Sequence, residues 1–343
     1  MPWAVASRLF RSERLFRSQG WDRTLARVSN GDEQYEAKEA ALAEALGEHI
    51  ACGEKIVQMF RLDPDAVEQL RQAALALHIP QNAYSNVYPI LLDEDQLAAQ
   101  GWHLPVLTAV TEYEDGVAVV ISSVRYLTTR ETVVVAELGE EIAAGLAGFN
   151  ELIGVRHLRH QACDVLWIPA AGEHVEIRAD YPFGTQQSKA QLALVQARAC
   201  FEGLLGAGPF ANQVNIFPAI RSLYDAQGDG SMVELGFMVT GSAQKLERTR
   251  RGEQCCREEA YHLGGIGVLD APIQPYRTSV VWRVDLGEDA MSAPEVSIRG
   301  TSSHTAEQDP FLGEMVLRNC AGILDYSHVL DRMLHHLQTP AEA

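Results

Sequence analysis

Cys163-Asp164-Val165-Leu166-Trp167-Ile168 and Glu173-His174-Val175-Glu176-Ile177-Arg178, separated by residues 169–172, form the stretch that indicates the fold. The second run alternates polar with apolar residues, which is typical of a strand with one buried face. Proline and glycine between the runs are typical of a turn, so the stretch predicts an antiparallel hairpin. If Ile168 pairs with Glu173, then Asp164 pairs with Ile177 and lies on the face opposite to Glu176.

Asp164, followed across the turn by Glu176 and Arg178, is similar to the carboxylate–hairpin–Glu-x-Lys arrangement with which restriction-endonuclease-like folds hold a divalent metal. The resemblance implies a metal-dependent phosphodiesterase or nuclease with Asp164, Glu176 and Arg178 as its catalytic residues. The match is incomplete because arginine stands where lysine is expected, and a guanidinium neither loses its proton nor acts as a compact point charge. A one-residue slip or bulge would also be needed to bring the carboxylates to one face. The favoured interpretation is a polar, solvated face above a buried apolar one.

The length of the chain predicts more than one domain. At 343 residues it exceeds the size at which a single hydrophobic core usually stops growing. The sequence Tyr181-Pro182-Phe183-Gly184-Thr185 interrupts the pattern of strands and helices and is the predicted boundary. We therefore expect a basic arm at residues 1–30, a first domain at residues 31–183 with a β-meander and the hairpin, and a second domain at residues 184–343.

The order of the predicted elements indicates the fold class. Strands are predicted at residues 55–61, 104–113, 117–127, 132–136, 232–240, 276–284 and 295–299. Helices are predicted near residues 42–50, 64–77, 140–149, 188–205, 243–251 and 325–337. Clusters of strands alternate with single helices, without the regular strand–helix repetition of a doubly wound sheet. The sequence therefore predicts an α+β protein of two mixed domains with mainly antiparallel sheets and flanking helices.

Charge and composition limit the partners. The net charge is −18, whereas residues 1–30 alone carry six arginines against two acids, so the body is strongly acidic. Such a body repels nucleic acid and anionic lipid over most of its surface. No apolar run approaches the roughly 18 residues that a membrane helix needs, so no membrane partner is expected. Six scattered cysteines are typical of reduced thiols, and the excess of arginine over lysine suggests a bacterium, so a cytoplasmic bacterial protein is expected.

The arm repeats a short motif, Arg-Leu-Phe-Arg-Ser, at residues 8–12 and 14–18. It lacks the continuous apolar core of a secretory signal, and its apolar residues spread around a helix without forming a membrane-binding face. We expect the arm to dock on its own body or on a neighbouring subunit, which predicts a homo- or hetero-oligomer.

The best candidate for a ligand-binding surface is the passage from a predicted strand into a basic helix. Gly241 and Ser242 would expose backbone N–H groups at the helix start, and Lys245, Arg248 and Arg251 would surround an anion there. Such a site predicts a nucleic acid or another phosphate-bearing ligand. The alternative is a solvated helix whose arginines pair with nearby glutamates.

No complete catalytic set can be assembled from the sequence, and neither a metal nor a cofactor is expected. His157, His160 and Cys163 have metal-ligand chemistry, but spacings of three along a strand alternate faces. The favoured function is a non-catalytic binding or assembly subunit of a cytosolic complex. The alternative is the metal-dependent phosphodiesterase centred on Asp164 and Glu176.

Overall fold

The protein is described from a computed structural model that covers residues 1–29, 33–101, 103–135, 139–146, 148–239, 243–249 and 254–338. The helices are α1 (Trp3–Ser12), α2 (Trp21–Val28), α3 (Glu33–Glu36), α4 (Glu39–Cys52), α5 (Pro64–Leu75), α6 (Glu94–Gln100), α7 (Glu140–Gly145), α8 (Gln187–Leu205), α9 (Pro218–Asp225), α10 (Ala260–Ile266) and α11 (Ile323–Gln338). Within these ranges no helix combines the length and the apolar character needed to cross a membrane.

The strands form one large antiparallel sheet and a small two-stranded one. They are β1 (Lys55–Arg61), β2 (Val106–Tyr113), β3 (Gly116–Val134), β4 (Glu151–Pro169), β5 (His174–Asp180), β6 (Ser231–Val239), β7 (Ala243–Arg248), β8 (Gln274–Val281), β9 (Val284–Asp285), β10 (Met291–Ser292), β11 (Glu295–Arg299) and β12 (Met315–Arg318). The ten-stranded sheet has the order β2-β3-β4-β5-β1-β12-β11-β8-β6-β7, and β9 pairs with β10. The predicted α+β class with mainly antiparallel strands is confirmed.

Helices cover both faces of the large sheet. Alternation along β1 directs Val57 to one face and Ile56 to the other, and both are fully buried. The Val57 face packs in a core with residues of α4, α9 and α11, whereas the Ile56 face packs with residues of α5 and α8. Buried apolar area on both faces is the main force that holds the helices on the sheet.

The hairpin of β4 and β5 has a different register from the predicted one. Trp167 pairs with Glu176 and Val165 pairs with Arg178, a shift of two residues from the prediction. The turn therefore closes at residues 170–173 instead of 169–172. Because side chains alternate with a period of two, this shift leaves every residue on its predicted face.

The large sheet continues across the predicted boundary near residue 183. The strands that precede it form the half β2-β3-β4-β5-β1, and the strands that follow it form the half β12-β11-β8-β6-β7. The two halves join where β1 pairs with β12. Helix α8 follows the boundary in sequence but packs on β5 and β1 of the first half. The division into two domains at this point stays a prediction.

Three local predictions were wrong. Residues 243–248 form the edge strand β7, which pairs with β6 over six residues, and not the start of a basic helix. The hairpin face with Glu176 and Arg178, predicted to be polar and solvated, is buried, and each of these two residues is only 1% exposed. The strand predicted to end at residue 127 continues unbroken to Val134, because it pairs with β4 along its whole length.

The N-terminal arm packs on itself and on its own chain. The rings of Trp3, Phe10 and Trp21 meet edge to face with centroids 5.4–6.2 Å apart, and Phe10 also contacts Tyr35. Arg14 forms an exposed ion pair with Glu288, with a distance of 2.5 Å between its guanidinium and the carboxylate. The predicted docking of the arm on its own body is thus a feature of the fold, whereas an oligomer formed through the arm stays a prediction.

We expect Gly116→Ala to destabilise the protein by about 1–3 kcal/mol, because a methyl group there would lie 2.5 Å from the carbonyl oxygen of Ile168. Gly154→Ala is the matched control in the same strand pair, since its nearest contact would be an ordinary 3.6 Å to the Glu131 carbonyl oxygen. Urea unfolding of both variants measures the difference. Equal stabilities would contradict the close pairing of β3 and β4 at Gly116.

Candidate functional site

Asp164 lies on the α5/α8 face of the sheet, where it forms a buried ion pair with Arg125 of the neighbouring strand. The Arg125 Nη1 donates to Asp164 Oδ1 at 2.9 Å, and Nη2 donates to Oδ2. The backbone N–H of Asp180 also donates to Asp164 Oδ1, at 2.9 Å. Both carboxylate oxygens are therefore occupied by donors from the protein itself.

Glu176 and Arg178 lie on the other face of the sheet and bind each other. The Arg178 Nε and Nη2 donate to the two Glu176 oxygens at 3.2 and 3.0 Å, and both side chains are almost completely buried. The Tyr326 hydroxyl donates to Glu176 Oε2 at 2.5 Å. Burial opposes the charge of Arg178, but Glu176 and Tyr326 outweigh it and raise the pKa of Arg178.

In these positions Asp164, Glu176 and Arg178 do not form the predicted catalytic site. Asp164 and Glu176 face opposite sides of the sheet, so they cannot share one metal ion, and Arg178 is used as the structural partner of Glu176. Among the residues that the structure describes, no group of three or more His, Cys, Asp or Glu side chains is placed to hold a metal. The carboxylate pair that a restriction-endonuclease-like centre requires is not formed.

The predicted phosphate site is also not formed by the residues that can be placed. On strand β7 the spacing of three directs Lys245 and Arg248 to opposite faces, whereas on a helix they would share one. The Arg248 Nε instead donates to Glu234 on β6, at 2.7 Å. Gly241, Ser242 and Arg251 lie outside the described residues.

A second ion pair lies beside the first and links β1 to β5. The Lys55 ammonium group is buried, and it donates to Asp180 and, at 2.7 Å, to the Cys163 carbonyl oxygen. The Cys163 N–H donates to the other Asp180 oxygen at 2.6 Å. Burial alone would raise the pKa of Asp180, but Lys55 and these hydrogen bonds hold it below the ordinary value. The charges of the two ion pairs cancel, because together they contain two cations and two carboxylates.

Two cavities open on either side of this network. One has a volume of about 270 Å³ and is lined by Arg125, Lys189 and the start of α8. The other has a volume of about 380 Å³ and is more apolar. Both are lined by His160, Asp180 and Pro182, so these three residues form the wall between them. This double cleft is the described region that best fits a small-molecule site.

Strands β3 and β4 project beyond the sheet from the pair formed by Arg125 and His160. We call residues 125–134 and 151–160 the ribbon. Side chains of β3 and β4 are buried up to residues 124 and 161, and most of those in the ribbon are half-buried or exposed. At about 3.3 Å per residue, each ribbon strand is about 30 Å long.

The ribbon exposes apolar side chains and two unpaired edges. Its exposed large apolar residues include Tyr126, Val134, Ile153, Val155 and Leu158, and Ile153 is 69% exposed. Pairing of β2 with β3 ends at Ser122, and pairing of β5 with β4 covers only residues 165–167. No strand in the described part of the chain therefore pairs with the outer edges of the ribbon.

Sequence reasoning missed a serine–histidine–aspartate relay in the second half. The Ser222 Oγ lies 2.9 Å from His336 Nδ1, and His336 Nε2 lies 3.0 Å from Asp229 Oδ2. The Trp282 Nε1 also donates to Asp229, at 2.8 Å. Ser222 lies within helix α9, and the nearby cavity at Gly228 is lined by neither Ser222 nor His336. The relay therefore ties α9 and α11 to the segment before β6.

We expect stability to fall by about 3 kcal/mol between pH 7 and pH 4 through His49, which lines the apolar cavity. Burial, together with the N-terminal amine and Lys55, lowers the pKa of His49 to about 4. Because the unfolded chain takes up this proton near pH 6.5 and the folded chain does not, stability is retained above pH 6.5 and lost as the pH falls.

Urea unfolding at several pH values tests this expectation. His49→Asn keeps an N–H donor near the position of Nδ1 and should flatten the pH dependence between pH 6.5 and 4. Other buried histidines, including His160 and His336, contribute equally to both proteins. An unchanged slope in the variant would contradict the assignment.

No family model matches this chain, and no curated protein or solved structure is significantly similar to it.

Proposed function

We propose that this chain is a non-catalytic assembly protein whose ribbon joins it to a second copy of itself. The single observation that carries the proposal is the two-stranded projection that exposes Ile153 and Val155 to solvent. A two-stranded hairpin alone in water is only marginally stable. A ribbon about 30 Å long with apolar side chains on its surface is therefore better explained as one half of an interface.

The outer edge of β4 is suited to antiparallel pairing with its own copy. If two β4 strands pair about Val155, Glu151 lies opposite Arg159 of the partner subunit, and Leu152 lies opposite Leu158 of the partner subunit. Each pair occurs twice because of the two-fold symmetry. Glu151 and Arg159 are both exposed. In this single register, residues of opposite charge lie opposite each other, and so do the two leucines.

Charge favours the ribbon as the place where two acidic chains approach. The whole chain has a net charge of −18, so two copies repel each other over most of their surfaces. The ribbon strands carry four arginines, at residues 125, 130, 156 and 159, against the two glutamates Glu131 and Glu151. Contact through the ribbon therefore brings together parts of the two molecules that are not acidic.

The cellular compartment that we propose is the one expected from the sequence, the cytoplasm of a bacterium. The free cysteines, most of them buried, support a reducing compartment such as the cytoplasm, whereas a bacterial origin stays an expectation from the excess of arginine over lysine. Nucleic acid is not proposed as a partner, because Lys245 and Arg248 face opposite ways and the net charge of the chain is −18.

A charge exchange tests the proposed register. Arg159→Glu should weaken self-association at least about tenfold, because it places two glutamates opposite each other at two symmetry-related points. The double variant Glu151→Arg with Arg159→Glu should restore association, since it re-forms both pairs with their signs exchanged. Sedimentation over a range of protein concentrations measures the dissociation constants.

Arg156→Glu is the matched control, because it makes the same charge change on the same strand but lies opposite Gly154 of the partner subunit in this register. It should affect association less than Arg159→Glu. A protein that stays monomeric at every concentration would exclude the assembly function. An oligomer that tolerates all these changes would exclude the ribbon as its interface.

A further inference from the structure

Strand β7 ends the large sheet on the side away from β3 and β4, and its outer edge is unpaired. It pairs with β6 over residues 243–248 and is the last strand in the sheet order. Within the described ranges no strand pairs with its other edge. Its side chains are exposed at five of the six positions. An open edge of this kind can accept a strand from another chain.

The backbone of Leu246 points to this outer edge. The Thr249 N–H donates to the Val233 carbonyl oxygen at 3.1 Å, so these two residues form a hydrogen-bonded pair of the β6–β7 ladder. Such pairs alternate with non-hydrogen-bonded pairs along an antiparallel ladder. The N–H and C=O groups of Lys245 and Glu247 are therefore directed to β6, whereas those of Leu246 are directed away from it.

Charge selects one register for antiparallel pairing of β7 with its own copy. If Leu246 lies opposite Leu246 of the partner subunit, Lys245 lies opposite Glu247 of the partner subunit, and two-fold symmetry repeats this pair. These are non-hydrogen-bonded pairs of the new ladder, in which side chains are closest. A register centred one residue earlier or later would place two lysines or two glutamates opposite each other.

Exposed apolar residues lie beside the same edge. Helix α10 approaches β7 through His262, whose Nδ1 lies 2.7 Å from Glu247 Oε2. The neighbours of His262 along the helix, Tyr261 and Leu263, are 77% and 49% exposed. Leu246, on the opposite face of β7, is 53% exposed. A copy paired with β7 would therefore lie next to apolar side chains on both faces of the sheet, as in a protein interface.

A lysine on an edge strand often has the opposite role, because it discourages pairing with another chain. In the register centred on Leu246 this repulsion is absent, since each Lys245 lies opposite a carboxylate. Strand β7 also carries Lys245 and Arg248 against the single acid Glu247, whereas the whole chain has a net charge of −18. Two acidic copies can therefore approach each other at β7 without the repulsion that acts over most of their surfaces.

We propose that β7 pairs in antiparallel fashion with β7 of a second copy, about Leu246, and so continues the large sheet across two molecules. The proposal does not rest on the ribbon, because the two surfaces belong to different strands. A chain that uses both surfaces forms assemblies larger than a dimer, since each surface joins it to one further copy.

Sedimentation of Leu246→Pro and Leu246→Ala, each in a full-length Arg159→Glu protein with a weakened ribbon contact, tests the pairing. Leu246→Pro removes an N–H that β6 does not use, and proline is tolerated where the N–H of an edge strand faces outward. Leu246→Ala is the matched control, because it shortens the side chain and keeps the N–H. We expect the Arg159→Glu protein to dimerise, and Leu246→Pro to weaken the dimer at least about fivefold more than Leu246→Ala.

A charge swap in the same background tests the register. Lys245→Glu and Glu247→Lys should each weaken the dimer at least about tenfold, because each creates two like-charged pairs across the two-fold axis. An equimolar mixture of these two variants should dimerise again, since every glutamate of one then lies opposite a lysine of the other. Lys189→Glu makes the same charge change at an exposed position on α8 and should leave the dimer unchanged.

Each outcome decides the proposal. An Arg159→Glu protein that stays monomeric at every concentration would overturn it, and association of the unmodified chain would then support the ribbon alone. Equal dissociation constants for Leu246→Pro and Leu246→Ala would also overturn it. A mixture of the charge variants that associates no more tightly than either variant alone would exclude the register. If Glu247→Lys does not fold, the comparison of proline with alanine still decides whether β7 pairs.

Discussion

One buried guanidinium joins two neighbouring strands of the large sheet to two helices that pack on one of its faces. Arg178 on β5 binds Glu176 on the same strand and donates to the Ala51 carbonyl oxygen at the end of α4, at 3.1 Å. Its charged plane lies between the rings of Trp167 on β4 and Tyr326 on α11, 4.6 and 3.8 Å from their centroids. The α4/α11 layer is therefore attached to the centre of the sheet through a cation that can be buried only while all these partners are in place.

The sequence correctly predicted the features of the hairpin that depend only on the alternation of side chains along a strand. Alternation alone placed Asp164 and Glu176 on opposite faces, and this result survived a register error because the error was an even number of residues. The error arose in the position of the four-residue turn, which the sequence does not specify. Strand β7 was predicted as a helix because residues 243–248 have high helix propensity, and pairing with β6 outweighs that propensity. The contact of Arg178 with Tyr326 could not be predicted, because it joins distant parts of the chain.

Charged and apolar residues occupy unusual places in the same strand pair. At the base of the ribbon the half-buried Arg125 neutralises the buried Asp164, whereas farther along the same strands Ile153 and Val155 are exposed. Paired charges inside the sheet explain why the hairpin resembles a catalytic centre without forming one. Exposed apolar residues on the ribbon are the observation from which the assembly function is proposed. The cleft lies where these two regions meet.

The unfolding free energy of Arg178 and Glu176 variants tests most directly whether this ion pair is structural. Arg178→Met should cost about 3–5 kcal/mol, because it leaves the Glu176 carboxylate buried without its cation. The double variant Glu176→Leu with Arg178→Met should recover most of that loss, since no unpaired charge remains in the core. If Arg178→Met alone costs less than about 1 kcal/mol, as an exposed pair would, the central role of Arg178 is contradicted.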